Sequence, residues 1–233
     1  MRPGWRMRAV TWLLLAESVR ANRQAYPDLP TAWLPHGLGN TLALWLPELL
    51  GTLDDTWKLD GWYQDHPTLS AVYCALRNLC VDNRSWGVYV APAALGYALS
   101  HPRFNIYKGE MGSWRFLGFG LDAIPHGITA YALTRLLQDG IQELARALPE
   151  ESPLAPLIQI LAKRSMLSTG AVLTLLSTIW EVGEYLMQQD ELRRAGGDRS
   201  AVNMEWDLED TIFDLLANTL GWIIANWQRP RET

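Results

Sequence analysis

The chain has 233 residues, 48% of them hydrophobic and 19% charged, with a formal net charge of −5, which is enough apolar material to fold and excludes a disordered chain. The mild acidic balance holds no basic run, so it lacks the electrostatic footprint of a nucleic-acid binder and no such partner is expected. Twelve tryptophans against four phenylalanines suit a membrane interface or a stacking surface, whereas a mean hydropathy of −0.06 excludes a simple bundle of greasy, lipid-exposed helices and leaves a soluble helical domain or a membrane bundle with a polar interior.

In chain order, Arg2, Arg6 and Arg8 precede the apolar run Ala9 to Ala16, which has the charge and length of a signal peptide's start. Glu17 and Arg20 follow where a cleavage site belongs, so the run reads as a retained first helix to about Gln24. After the break Tyr26-Pro27-Asp28-Leu29-Pro30, a helix over Ala32 to Leu53 is expected to kink at Pro35, Gly37, Gly39 and Pro47. A polar connection over Asp54 to Pro67 leads to helices over Thr68 to Val81 and Trp86 to Leu99. His101 to Gly120, punctuated by Pro and Gly, reads as a loop. Leu121 to Leu148 is strongly helical, Pro149 to Pro156 breaks it, and Leu157 to Met187 resumes. Asp190 to Asn203, charged and holding Gly196-Gly197, reads as a loop, and the last helix runs from about Trp206 to Trp227. No useful β-alternation and no internal repeat appear. The expected class is all-α: one helical domain over residues 1–233, a polytopic bundle of about six helices.

Cys74 and Cys80 fit neither a disulfide framework nor a zinc motif and read as buried thiols. The chemistry lies with acids at particular helix ends. Asp122 and His126 are four apart at the start of one helix, Glu181 and Glu184 three apart near the end of the next, and Asp207, Asp210 and Asp214 follow at the start of the last. Those spacings put each set on one helix face. If the three helices run up, down and up as neighbours, all these groups share one layer.

Each has a blander reading. Asp207 can cap the last helix and Asp122 stands similarly near a helix start, while a lone histidine such as His126 is more often a satisfied core residue. Asp214 is harder to dismiss among Phe213, Leu215 and Leu216, and burying Glu181 and Glu184 in an apolar run is costly unless they are paired or metal-bound. The candidate metal ligands are therefore Asp122, His126, Glu181, Glu184, Asp210 and Asp214, a set that suits a divalent cation such as Mg, Mn, Ca or Zn. Crowded carboxylates can alternatively carry protons. Nucleophile-elbow, phosphate-loop and dinucleotide motifs are missing, and so is the di-iron Glu-x-x-His pair, since Met187 stands third after Glu184. His36, His66 and His101 sit beside Pro or Gly and read as bland.

The last third, Trp180-Glu181-Val182-Gly183-Glu184-Tyr185 followed by Trp206 to Gly221, resembles the VanZ-like and YjdF-like bacterial membrane proteins, which carry a WE motif in one span and a D…DxxxNxxG motif in the next. Asp214, Asn218, Gly221, Trp180, Glu181, Asp122 and His126 match residue by residue. The resemblance covers about residues 118–227, leaves 1–117 as divergent N-terminal helices, and implies a multi-pass protein of the bacterial cell membrane.

The charges agree with that placement. Lys163 and Arg164, Arg229 and Arg231, and Arg2, Arg6 and Arg8 mark one cytoplasmic face by the positive-inside rule, which puts both termini inside, makes the spans even in number and sets the acidic layer near the outer face. Tryptophans 33, 86, 114, 206 and 227 fall near helix ends, as interface anchors do. The expected function is a membrane protein, with lipid as its surroundings, whose acidic and histidine layer binds a divalent cation or polar head group. In a catalytic version, Glu181 or Asp214 serves as general base for metal-activated water. The alternatives are a non-catalytic subunit packed against other membrane subunits and a soluble all-α domain.

Overall fold

The computed structural model describes residues 4–57, 66–82, 85–199, 202 and 206–228. Among them the fold is all-α: α1 (Trp5–Ala25), α2 (Leu34–Trp57), α3 (Pro67–Arg77), α4 (Trp86–Ala98), the single turn α5 (Gly109–Gly112), α6 (Ala123–Ala147), α7 (Ala155–Lys163), α8 (Ser165–Arg194) and α9 (Leu208–Trp227). A 3-10 turn (Pro30–Ala32) precedes α2 and a π-helical turn (Asn78–Asp82) continues α3. The nine helices exceed the six expected from the sequence. Leu157 to Met187 is not one helix but two, broken at Arg164, whose backbone leaves the helical region at φ −106° and ψ 35°. The expected loop from Asp190 begins only after Arg194. The expected loop His101 to Gly120 also holds α5 and a minimal hairpin, β1 (Arg115–Phe116) paired antiparallel with β2 (Phe119–Gly120). Of the polar connection from Asp54, residues 58–65 lie outside the described residues, as do Arg2, Arg229 and Arg231.

Side-chain bonds fix the helix directions. Trp12 Nε1 donates to Thr41 Oγ1 (3.2 Å) and Arg8 pairs with Glu48, so α1 and α2 are antiparallel. Ser18 Oγ donates to the Ala98 carbonyl (3.3 Å), which sets α4 beside α1. Pro47 lies inside α2 and cannot bond the Ala43 carbonyl one turn back. The indole of Trp86 donates to that oxygen instead (2.8 Å), so the first residue of α4 heals the gap. Leu15, Leu44, Leu79, Trp86 and Ala94 form the apolar core between these helices.

Three expectations fail here. Trp86, expected among the interface tryptophans, is buried in the core. Cys74 is exposed, on the outer side of α3, and only Cys80 is buried. Arg8, expected among the charges of one face, is wholly buried. It donates from Nη1 to the Leu44 carbonyl (2.7 Å), and its guanidinium forks onto the Glu48 carboxylate, with Nη2 to Oε1 at 2.7 Å. Its partner lies 40 residues away, beyond the reach of any local pattern.

The C-terminal half is held by close backbone approach. A Cβ on Gly221 of α9 would collide with the Gly127 carbonyl oxygen of α6 and lie 2.9 Å from the Tyr131 amide nitrogen. Further along, Gln138 Nε2 donates to Asn226 Oδ1 (2.9 Å), so α6 and α9 run parallel. Against α9, α8 is antiparallel: Trp222 Nε1 donates to the Met166 carbonyl (3.2 Å), Asn218 Nδ2 to Ser177 Oγ (3.0 Å), and Thr211 Oγ1 to Glu181 Oε2 (2.8 Å). The up, down, up order that the acidic layer requires is therefore present.

Candidate functional site

Asp122 is the N-cap residue of α6, yet its side chain makes no capping hydrogen bond. It is buried, with its Oδ1 accepting no hydrogen bond, and turns toward α9. There Asp210 and Asp214, one turn apart, each bring a carboxylate oxygen, and the oxygens of the three residues lie within 4.8 Å of one another. Three carboxylates at that separation repel unless a proton or a cation lies among them. His126, one turn into α6, sets Nε2 3.5 Å from Asp214 Oδ2.

Glu181 flanks the group from α8. It is buried, one carboxylate oxygen taking the Thr211 hydroxyl and the other accepting nothing. Glu184 is half-buried one turn further on and accepts from Trp180 Nε1 (2.7 Å). Of the six expected ligands, Asp122, Asp210 and Asp214 form one cluster with His126 against it, while Glu181 and Glu184 border it. Asp207 does not join them. Its Oδ1 caps α9, accepting from the amides of Glu209 (2.8 Å) and Asp210 (3.3 Å).

The segment expected to be a bland loop supplies the rest. Arg115 reaches from β1 to Asp210, Nη2 to Oδ1 at 3.1 Å, and is steadied by the Gly112 carbonyl. Gly120 leaves room for the Asp122 carboxylate. A Cβ there would collide with Oδ1 and lie 3.0 Å from Arg115 Nη1. Phe119 meets the ring of Phe213 edge-on at 5.0 Å, fixing the hairpin over the start of α9. Tyr107 donates to the Gly96 carbonyl (2.9 Å), and burial together with the nearby Asp122 carboxylate raises the pKa of its phenol. Burial likewise lifts the Asp122 carboxyl above the ordinary carboxylate range, Arg115 opposing the shift. Sequence periodicity could not find these residues, because irregular chain carries none; the Gly and aromatic density of Trp114 to Gly120 was the available signal.

His101 and His36 are structural. His101 Nδ1 accepts from the Arg103 amide (3.2 Å), and its ring stacks on Phe104. His36 stacks on Tyr97 at 4.6 Å and meets Trp180 edge-on.

No family model, curated protein or solved structure matches the chain.

Proposed function

We propose that this is a multi-pass membrane protein whose Asp122, Asp210 and Asp214 carboxylates bind a divalent cation at one end of the bundle, with His126 beside them and Glu181 and Glu184 at the border. The observation that carries the cation is the buried Asp122 oxygen with no hydrogen-bond partner, aimed at two further carboxylates. A buried carboxylate oxygen without a hydrogen-bond partner is costly, and a bound cation would offset that cost. Ligation by carboxylate oxygens alone suits Mg²⁺ or Mn²⁺, and His126 lies outside that ligand set. In a hydrolytic version of this reading a bound cation would supply water activation, and Glu181, which borders the ligands with one oxygen unbonded, or Asp214 would serve as general base.

The inside-out distribution of side chains supports the membrane. Arg8, Thr11, Ser18, Asn22, Thr134, Gln138 and Thr169 are buried, while leucine and isoleucine line the outside of the long helices: Leu13 and Leu42 are 61% and 60% exposed, Leu175 60% and Ile179 59%. Among the described residues α8 is the one helix long and apolar enough to cross a membrane, with an 18-residue window of mean hydropathy 1.3 of which only 22% is buried. Ala217, Gly221 and Ala225, all buried at every fourth position of α9, form the small-residue stripe by which helices pack in lipid. The resemblance to VanZ-like and YjdF-like proteins accords with this reading, since Asp122, His126, Glu181 and Asp214 carry both.

Extracting membranes at alkaline carbonate pH tests the first part: the chain stays in the pellet if it spans the bilayer and enters the supernatant if it does not. Titrating the purified chain with Mn²⁺ tests the second. Saturable binding that is lost in Asp122→Asn supports the site, and absence of binding overturns it.

A further inference from the structure

A groove of about 780 Å³ runs along the outside of the α6–α9 seam, lined at one end by Arg115 and Gly120, which adjoin the carboxylates of Asp210 and Asp122. Its floor is the stretch where Gly127 and Gly221 bring the backbones together beside Ala217, and its walls are Ile128, Leu220 and Ile224. The volume falls in the range of ligand clefts, about 300–1,000 Å³. From Ile124 to Tyr131 the seam extends about 10 Å at 1.5 Å per residue, about two-thirds of the roughly 15 Å depth of one leaflet of a 30 Å hydrocarbon core. One end of this apolar trough is charged. Arg115 and Gly120 line it there, Arg115 is 42% exposed on its side chain, and its guanidinium is bonded to Asp210 of the cation cluster.

We infer that the groove seats one chain of a membrane phospholipid whose anionic phosphate lies against Arg115 and the cation held by Asp122, Asp210 and Asp214. The inference rests on the cation reading above, because without a cation the three carboxylates repel a phosphate. The charges are complementary: a divalent cation and a guanidinium offer a phosphate two adjacent positive partners, and Arg favours planar contact with phosphate oxygens. The apolar trough continuous with that pair selects an amphiphile over free phosphate.

Native mass spectrometry of the full chain, released from detergent micelles with Mg²⁺ present, tests this with three probes: dioleoylphosphatidic acid, dioleoylglycerol and inorganic phosphate. The expected result is one phosphatidic acid retained per chain, reduced at least tenfold when Mg²⁺ is chelated, with dioleoylglycerol not retained and inorganic phosphate failing to displace the lipid. Ile128→Trp, a substitution at an exposed wall, fills the trough and lowers retention about tenfold while leaving Mn²⁺ binding unchanged; Arg115→Ala also lowers retention. Equal retention of dioleoylglycerol, retention indifferent to Mg²⁺, or full retention by Ile128→Trp overturns the inference. Mn²⁺ binding without lipid retention overturns it and leaves the cation site standing, whereas absence of Mn²⁺ binding overturns both.

Discussion

Gly221 of α9 and Gly127 of α6 meet backbone to backbone, leaving no room for a methyl group on Gly221. Gly221→Ala must therefore push α9 off α6, and over-packing of this kind costs about 1–3 kcal/mol. Gly183→Ala is the internal control, since a Cβ there meets nothing within 4 Å and alanine is the better helix former by up to about 1 kcal/mol. Thermal unfolding of the purified variants should show the first lowered and the second unchanged or raised; equal midpoints would contradict the packing.

The Arg8–Glu48 pair predicts a non-additive result. Arg8 is wholly buried and Glu48 is 28% exposed, so Glu48→Leu strands a buried guanidinium at a cost of about 3–5 kcal/mol, whereas Arg8→Met leaves a carboxylate that water reaches and costs less. The double variant Arg8→Met with Glu48→Leu removes both charges and should be less destabilised than the sum of the single variants. A double-mutant cycle on unfolding midpoints measures the difference.

At the acidic cluster, cation affinity and stability should move in opposite directions. Asp122→Asn and Asp214→Asn each remove a ligand, so Mn²⁺ affinity should fall at least tenfold in each. In cation-free buffer the same substitutions remove a buried negative charge that faces two others, so the unfolding temperature should hold or rise. Calorimetry with and without Mn²⁺ reads both, and a variant that loses stability without cation would mean that the carboxylates are structural.

The raised pKa of Asp122 gives the sign of a pH effect. A carboxyl whose folded pKa lies above its unfolded one binds more protons when folded, so the stability that Asp122 contributes is fully present at low pH and is lost as pH rises from the ordinary carboxylate value to the raised one. Cation binding needs the carboxylate, so affinity should rise over that same window. Cation-free unfolding temperature and Mn²⁺ affinity, followed from pH 4 upward, should therefore cross in opposite directions, and a parallel rise of both would contradict the assignment.

What was readable in the sequence followed from periodicity. The spacing of Asp210 from Asp214 and of Asp122 from His126 placed each pair on one helix face, and the alternation of helix directions placed the pairs together. Pro149 announced the end of α6 and Pro67 the start of α3, because proline stops a helix and suits its first turn. The break at Arg164 had no such signal, since Lys163-Arg164-Ser165 holds neither Pro nor Gly. Arg115 and Gly120 escaped notice because their roles depend on where an irregular segment folds back across α9, and the burial of Arg8 because its partner sits on another helix.

The polar lining of this bundle also governs how its stability responds to temperature. Leucines such as Leu13, Leu42 and Leu175 already lie outside, so unfolding adds less newly wetted apolar surface than in an ordinary soluble domain, and the accompanying heat-capacity increment falls below the usual figure of about 12–15 cal/mol/K per residue. The stability curve is correspondingly broad and flat. Cooling, which weakens proteins held together by hydrophobic burial, has little to weaken in a seam held by glycine contacts and the Gln138–Asn226 hydrogen bond.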